Sequence, residues 1–281
     1  MKRRLRLGIS TCPNDTFAFH ALLAGAIPTP GLELEIELLD VQELNEALAC
    51  GRFDVAKGSF YAAFMMSAEL CVLRSGAALG FGNGPLLLGT PQRRGEGVPE
   101  RILGPGRWTT AHLLYKLFHG NERGPEVEHL IFSEIMPALV RGEANLGICI
   151  HEGRFTFEEH GLECLEDLGA TWEAQTALPL PLGGIFARRT LGPETIAAVE
   201  AAIGASIRYA REHPDSALVS MREHAQETSD EVLTAHVELY VNEHTEALGE
   251  LGGRALRRLE AEARRIGAIP PESPALEIFG D

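Results

Sequence analysis

Two stretches of this 281-residue chain run in parallel: Leu48-Ala49-Cys50-Gly51-Arg52-Phe53-Asp54-Val55 and Leu139-Val140-Arg141-Gly142-Glu143-Ala144-Asn145-Leu146. Each reads as the end of a helix, a glycine stop, two further residues, an acid or amide, and the start of a strand. The two glycines stand 91 positions apart. An α-to-β connection of this kind is common and can arise twice by chance. What favours two lobes with matching α/β units is the chemistry that follows each strand. Ser59 comes eight positions after Gly51, and His151 and Glu152 come nine and ten positions after Gly142. Open α/β sheets bind ligands beyond the carboxyl ends of their strands. If the lobes face each other, Ser59 and His151 stand on opposite walls of one cleft.

The pattern extends outward from these units. Leu5, Leu7 and Ile9 alternate as a strand, and Asn14 or Asp15 caps a helix running to about Leu23. Leu32, Leu34, Ile36 and Leu38 alternate with glutamates as a strand with one wet face. A helix over 42–50, a short strand over 54–57, an apolar helix over 60–67 and a buried strand or crossing segment at Leu86 to Leu88 complete the first region. The second begins near Gln92. It has a strand at Ile102 and Leu103, a helix from about Thr109 to His119, a helix capped by Ser133, and strands over 146–150 and 163–168. After Gly183-Gly184 the segment 185–188 returns as a strand. The remainder is helical, over 193–212, 214–224, 230–242 and about 245–267. This predicts an α/β chain with lobe I from 1–90 plus 188–281, discontinuous and carrying the C-terminal helices, and lobe II from 91–187. Two crossings between lobes suit a hinged fold that clasps a ligand.

The composition limits what that ligand is. With 25 basic against 40 acidic residues the net charge is −15, and only Lys2, Lys57 and Lys116 are lysines. Neutralising phosphates needs a basic surface, so nucleic acid is disfavoured, and so is docking on an anionic membrane. The acidity is uneven: residues 1–90 carry −2, residues 91–187 carry −6 and residues 190–281 carry −9. Most of it lies on the C-terminal helices, beyond a Debye length of about 8 Å from a cleft between the lobes. A small anionic substrate remains compatible with a locally positive site. The five cysteines, at 12, 50, 71, 149 and 164, show neither CxxC spacing nor a disulfide framework, which suits a reducing cytosol. The basic start at Lys2, Arg3, Arg4 and Arg6 lacks the apolar run of a signal peptide. The longest charge-free stretch, 75–92, is broken by glycine and proline and reads as loop rather than a membrane span. A cytoplasmic protein is expected.

Among candidate site residues, His151 suits proton transfer near neutral pH, and is equally readable as a histidine packed at a strand end. Phe155 stands where an HExxH zinc motif needs its second histidine. Glu152 is placed to orient the imidazole or to be a solvated charge. Thr109 and Thr110 open a helix after Gly104-Pro105-Gly106, where free amides favour an anion or a hydroxyl cluster and where threonine also caps. The turn lacks a third dinucleotide-binding glycine and a Walker lysine. Ser59 caps a helix or hydrogen-bonds a substrate; no G-x-S-x-G elbow surrounds it. Lys57, at a predicted strand end, neutralises a carboxylate or faces solvent. Asn14 and Asp15 cap the first helix, contact ligand hydroxyls, or do both. Cys12 and Cys149 read as packing residues. His213, His224, His236 and His244 fall on surface or interface faces of the C-terminal helices, without an i, i+4 pair, and no metal site is expected.

A further set of motifs carries a resemblance. Ser10-Thr11-Cys12-Pro13-Asn14-Asp15-Thr16-Phe17 matches an SxCPNDTF signature. Arg74 to Gly80, Gly106 to Ala111, Gly147 to Thr156, Leu178 to Gly183, and Ser229-Asp230-Glu231-Val232 through Tyr240-Val241-Asn242 follow in order. Together they resemble the 1,4-dihydroxy-6-naphthoate synthase family of the futalosine route to menaquinone. Trp108 stands where some members carry histidine. The resemblance implies a two-lobed α/β fold like that of type II periplasmic binding proteins, used here as a cofactor-independent carbon–carbon lyase. Its implied substrate is a small anionic aromatic, cyclic dehypoxanthinyl futalosine, converted to 1,4-dihydroxy-6-naphthoate with loss of a sugar-derived fragment. It implies substrate contacts at Lys57-Gly58-Ser59 and Thr109-Thr110, and a proton acceptor at His151. Two alternatives stay open. One is chorismate dehydratase of the same pathway, against which the SxCPNDTF opening argues. The other is a non-catalytic solute-binding protein, against which the missing export signal argues. Nothing in the sequence selects between monomer and homodimer.

Overall fold

Gly51 and Gly142 both adopt left-handed backbone, with φ of +75° and +74°. In each case the glycine and its successor close a helix with the same bonds: Gly51 N–H to Leu48 O and Arg52 N–H to Ala47 O, Gly142 N–H to Leu139 O and Glu143 N–H to Ala138 O. This is the glycine-terminated helix end that satisfies carbonyls otherwise left without donors. The acid and the amide that follow are equivalent too. Asp54 Oδ2 accepts the Arg6 N–H at 2.8 Å, and Asn145 Oδ1 accepts the Arg101 N–H at 3.2 Å. Each thereby pins the incoming strand to its parallel neighbour.

The structure, a computed structural model, describes residues 2–90, 101–120, 126–151, 153–225 and 229–281; Glu152 and the expected start of the second lobe near Gln92 lie outside them. The strands are β1 (Arg3–Ser10), β2 (Leu32–Leu39), β3 (Val55–Ser59), β4 (Leu70–Val72), β5 (Ala78–Gly80), β6 (Leu86–Gly89), β7 (Ile102–Gly104), β8 (Val127–His129), β9 (Leu146–Cys149), β10 (Glu163–Asp167), β11 (Leu180–Arg188) and β12 (Glu277–Ile278). One sheet has the order β12-β4-β11-β3-β1-β2, with β5 also on β11; the other has β10-β6-β9-β7-β8. In both, two parallel neighbours flank a central strand, β3-β1-β2 and β9-β7-β8, and an antiparallel strand lies on the third, β11 on β3 and β6 on β9. The repeat read from two eight-residue stretches thus belongs to a four-strand pattern built twice.

The helices are α1 (Pro13–Ala18), α2 (His20–Leu23), α3 (Val41–Ala49), α4 (Phe60–Met65), α5 (Thr110–His119), α6 (Phe132–Val140), α7 (Gly153–Thr156), α8 (Leu168–Thr176), α9 (Pro193–Glu212), α10 (Pro214–His224), α11 (Asp230–Tyr240), α12 (Glu243–Glu246) and α13 (Gly249–Arg265). Leu5, Leu7 and Ile9 of β1 pack with Val199, Ile203 and Ile207 of α9. Each such side chain, fully buried, contributes about 1.5–3 kcal/mol relative to exposure. On the opposite face Gly8 leaves room for Leu44 of α3 and for Phe53: a Cβ there would lie 2.8 Å from the Leu44 side chain and 2.7 Å from the Phe53 ring. Phe17 of α1 packs with Ala210, Ala217, Met221 and Leu233, so the C-terminal helices buttress α1.

Several local expectations are corrected. Pro13 takes the first helical position, where no N–H is needed. The cap is therefore Cys12, and Asn14 and Asp15 fall in the first turn rather than capping. The helix breaks at Phe19, which is wholly buried in the β1–α9 core. Ser133 lies inside α6, whose cap is Ile131. The last helical segment divides into α12 and α13. The expected lobe boundaries also shift, because sheet membership is set by pairing. β6 lies before residue 90 yet pairs with β9 and β10, and β11 starts before residue 188 yet pairs with β3.

Candidate active site

The carboxyl ends of β1, β3, β7 and β9 converge on one cavity, open to solvent. Its walls include Cys12, Asn14 and Asp15 after β1, Lys57, Gly58 and Ser59 at the end of β3, Thr109 and Thr110 after β7, and His151 after β9. All eight residues expected at the site from sequence therefore line the same space. Cys12, read from sequence as packing, joins them.

On one wall the central group is Asp15, 3% exposed. Its carboxylate accepts from Lys57 Nζ at 2.7 Å, from Ser10 Oγ at 2.5 Å and from Asn14 Nδ2 at 3.0 Å. Lys57 also donates to the Gly76 carbonyl at 3.3 Å. The lysine is thus already neutralised by a buried carboxylate. It does not stand in the cavity as a free cation waiting for a substrate carboxylate. Ser59 caps α4 in position but not by its side chain. Asn45 Oδ1 accepts the Ser59 N–H at 2.9 Å, and Asn45 Nδ2 donates to Ser59 Oγ at 3.1 Å, leaving the hydroxyl proton for a ligand. Gly58 makes this possible: a Cβ there would lie 3.0 Å from Asn45 Oδ1 and 2.9 Å from Leu48.

The opposing wall is the start of α5. Thr109 caps it, accepting the His112 N–H at 3.3 Å and donating to Gly106 O at 2.8 Å, while Thr110 Oγ1 donates to Leu182 O at 2.7 Å. Both threonine protons are consumed locally. The backbone amides of Thr110 and Ala111 have no acceptor among the described residues. These amides, at the positive end of a ten-residue helix, are the arrangement that favours an anion.

His151 has φ of +56°, left-handed backbone that a non-glycine residue rarely adopts. Such local strain persists where surrounding structure enforces it, often at functional sites. The ring packs edge-on to Phe132 at 4.6 Å between centroids, and Cys12 Sγ lies 2.9 Å from Nδ1 and 3.6 Å from Nε2. Burial pushes its pKa down to about 4; Asp15 opposes the shift and Lys57 adds to it. The imidazole is therefore neutral at pH 7, the state a proton acceptor needs.

Sequence reasoning missed His236. Far from a surface face, it is 1% exposed and lines the cavity from α11 together with Tyr240, 4.8 Å away between ring centroids. Its Nε2 meets Asn14 Oδ1 at 3.0 Å. The signals in the chain were its place within the 229–242 stretch of the resemblance and a histidine four residues before a tyrosine on a helix, neither of which singles out the residue as part of a site. Among the described residues no group of three or more His, Cys, Asp or Glu is arranged to hold a metal ion.

Burial also lowers the pKa values of His20, His112, His129 and His236. Between about pH 6.5 and pH 4 the unfolded chain therefore binds protons that the folded chain refuses, so stability falls as pH drops through that window. The urea midpoint is expected to decline steadily from pH 7 to about pH 5.5, above the range in which most carboxylates titrate. A flat midpoint over that interval contradicts the buried neutral histidines.

The family model described as menaquinone biosynthesis matches residues 5–265. A 1,4-dihydroxy-6-naphthoate synthase of Thermus thermophilus is 46% identical over 270 residues, covering 95% of this chain and 97% of that protein. One of Streptomyces coelicolor is 38% identical over 279 residues, covering 98% of each. Among solved structures, an Archaeoglobus fulgidus protein aligns with a TM-score of 0.87 at 31% identity, covering 95% of this chain and 98% of that one. The ligand-binding component of an ABC-type import system from Staphylococcus aureus aligns at 0.71 with 14% identity, over 99% and 97% of the two chains. The periplasmic aliphatic sulphonate binding protein of Escherichia coli aligns at 0.63 with 12% identity, over 100% and 95%. The latter two show the fold alone. The two sheets with a cavity between their strand ends are a periplasmic-binding-protein-like fold, and the chain belongs to the 1,4-dihydroxy-6-naphthoate synthase family of menaquinone biosynthesis.

Proposed function

We propose that this chain is a carbon–carbon lyase that converts cyclic dehypoxanthinyl futalosine to 1,4-dihydroxy-6-naphthoate, releasing a sugar-derived fragment without a cofactor. The observation that carries the reading is His151: a neutral imidazole, held in left-handed backbone on the wall of the cavity, in a chain whose relatives bear the synthase name. Breaking a carbon–carbon bond beside an oxygenated sugar carbon requires a proton to be removed, and His151 is the general base. The substrate carboxylate sits at the amides of Thr110 and Ala111, where the helix end supplies positive potential without an ionised side chain. Ser59 donates its hydroxyl proton to the ligand. The Lys57–Asp15 pair shapes the floor and holds Asn14 in place.

Side-by-side incubation of the purified protein with cyclic dehypoxanthinyl futalosine and with chorismate tests this. Mass spectrometry is expected to show the first consumed, 1,4-dihydroxy-6-naphthoate formed, and chorismate untouched. Consumption of chorismate in place of the first compound makes the chain a dehydratase. Binding without product makes it a solute-binding protein.

A further inference from the structure

His236, on the helical wall of the cavity, carries a buried Nδ1 that has no hydrogen-bond partner among the described residues. Its ring orientation follows from its neighbours. Asn14 Nδ2 donates to the Asp15 carboxylate, which is paired with the Lys57 ammonium, so Asn14 turns its carbonyl oxygen toward His236. A carbonyl oxygen only accepts, so Nε2 carries the proton, and Nδ1 of the neutral ring is a bare lone pair. Buried polar groups are nearly always paired, and an orphan in a cavity wall marks a place where a ligand or water completes the bond. Because the atom is an acceptor, it rejects a carboxylate and takes an O–H or N–H donor. Ser220 and Ser216 satisfy the other buried histidine of this region, His20, on both nitrogens, so the vacancy at His236 is not a general feature of these helices.

We propose that His236 is a substrate-binding residue, its Nδ1 accepting a hydrogen bond from a ligand hydroxyl and so selecting ligands with a hydroxylated ring on the α11 side of the cavity. The proposal rests on the function given above and orients its substrate: the carboxylate lies at the start of α5 and the hydroxylated sugar-derived ring at His236, whose ring centroid is 6.5 Å from that of His151.

The test uses the full-length protein labelled with ¹⁵N-histidine, in a His151→Ala background that holds cyclic dehypoxanthinyl futalosine unconverted. The His236 Nδ1 resonance, assigned by its loss in His236→Phe, is expected at the unprotonated position in the free protein and to move upfield when the compound saturates the site. In the otherwise wild-type enzyme, His236→Phe is expected to raise KM roughly tenfold with a smaller change in kcat. A protonated Nδ1 in the free protein overturns the proposal, as does a resonance unmoved by bound compound. If His236→Phe fails to fold, the resonance in the parent protein decides. Conversion by the wild-type enzyme with an unmoved resonance removes the role of His236 alone. Absence of both conversion and binding removes the proposed function and this inference with it.

Discussion

His151→Ala and His151→Gly are each expected to lower kcat by about 10²–10⁴-fold, the range general-base catalysis contributes, while equilibrium binding of cyclic dehypoxanthinyl futalosine changes little. The two variants separate chemistry from architecture. At φ of +56° alanine retains the left-handed strain and glycine does not, so the glycine variant is expected to be the more stable of the two by about 1 kcal/mol. Equal losses of turnover with unequal melting temperatures are the signature of a residue kept for its imidazole at a cost in stability. Loss of binding in both variants instead gives His151 a structural role. The acid limb of kcat/KM adds a further reading. Burial lowers the His151 pKa to about 4, so activity is expected to persist well below pH 6.5. A limb at pH 6.5 would place the imidazole in water in the working enzyme.

The second large effect concerns the Lys57–Asp15 pair, whose side chains are 8% and 4% exposed. Lys57→Met leaves a carboxylate buried with only neutral donors, Ser10 and Asn14. Removing one partner of a buried ion pair costs about 3–5 kcal/mol. At roughly 2–4 °C per kcal/mol for a chain of this size, the melting temperature is expected to fall by about 10 °C. Lys57→Met combined with Asp15→Leu removes both charges and is expected to recover most of that loss, because a pair of apolar groups leaves no unpaired ion. Thermal denaturation of the three variants checks this. A double variant no better than the single one shows that packing around the pair, rather than its charge, sets stability. The double variant also removes the anchor of Asn14, so its restored stability is expected without restored turnover.

Much of the site was legible because it lies at strand ends, and strand ends are marked by local chemistry. Gly51 and Gly142 end helices through bonds made within a few residues of themselves; an alternating or apolar run follows each, and the residues beyond it reach the cavity. Thr109, a side-chain cap after a glycine-rich turn, was visible for the same reason. The errors share one cause, which is dependence on partners far away in the chain. Asn14 and Asp15 have the composition of helix caps, but Pro13 set the cap at Cys12 and released their side chains to Lys57 and His236. Lys57 looked like a free cation because its carboxylate partner is 42 residues away. Cys12 looked like packing because His151 is 139 residues away. The boundaries at 90 and 188 were misplaced because β6 and β11 are short apolar runs whose sheet is set only by what pairs with them.

By itself, then, the sequence determined the repeated α/β unit, the placement of its strand ends and the family, since these depend on bonds within a few residues and on ordered motifs. Tertiary structure decided what each polar group is paired with. It cancelled the charge of Lys57, held His151 neutral, and brought His236 from the C-terminal helices to a cavity otherwise built from strand ends. The physical reason is that burial and partnership set the protonation and hydrogen bonding of a side chain, and both are properties of the packed molecule that spacing along the chain does not encode.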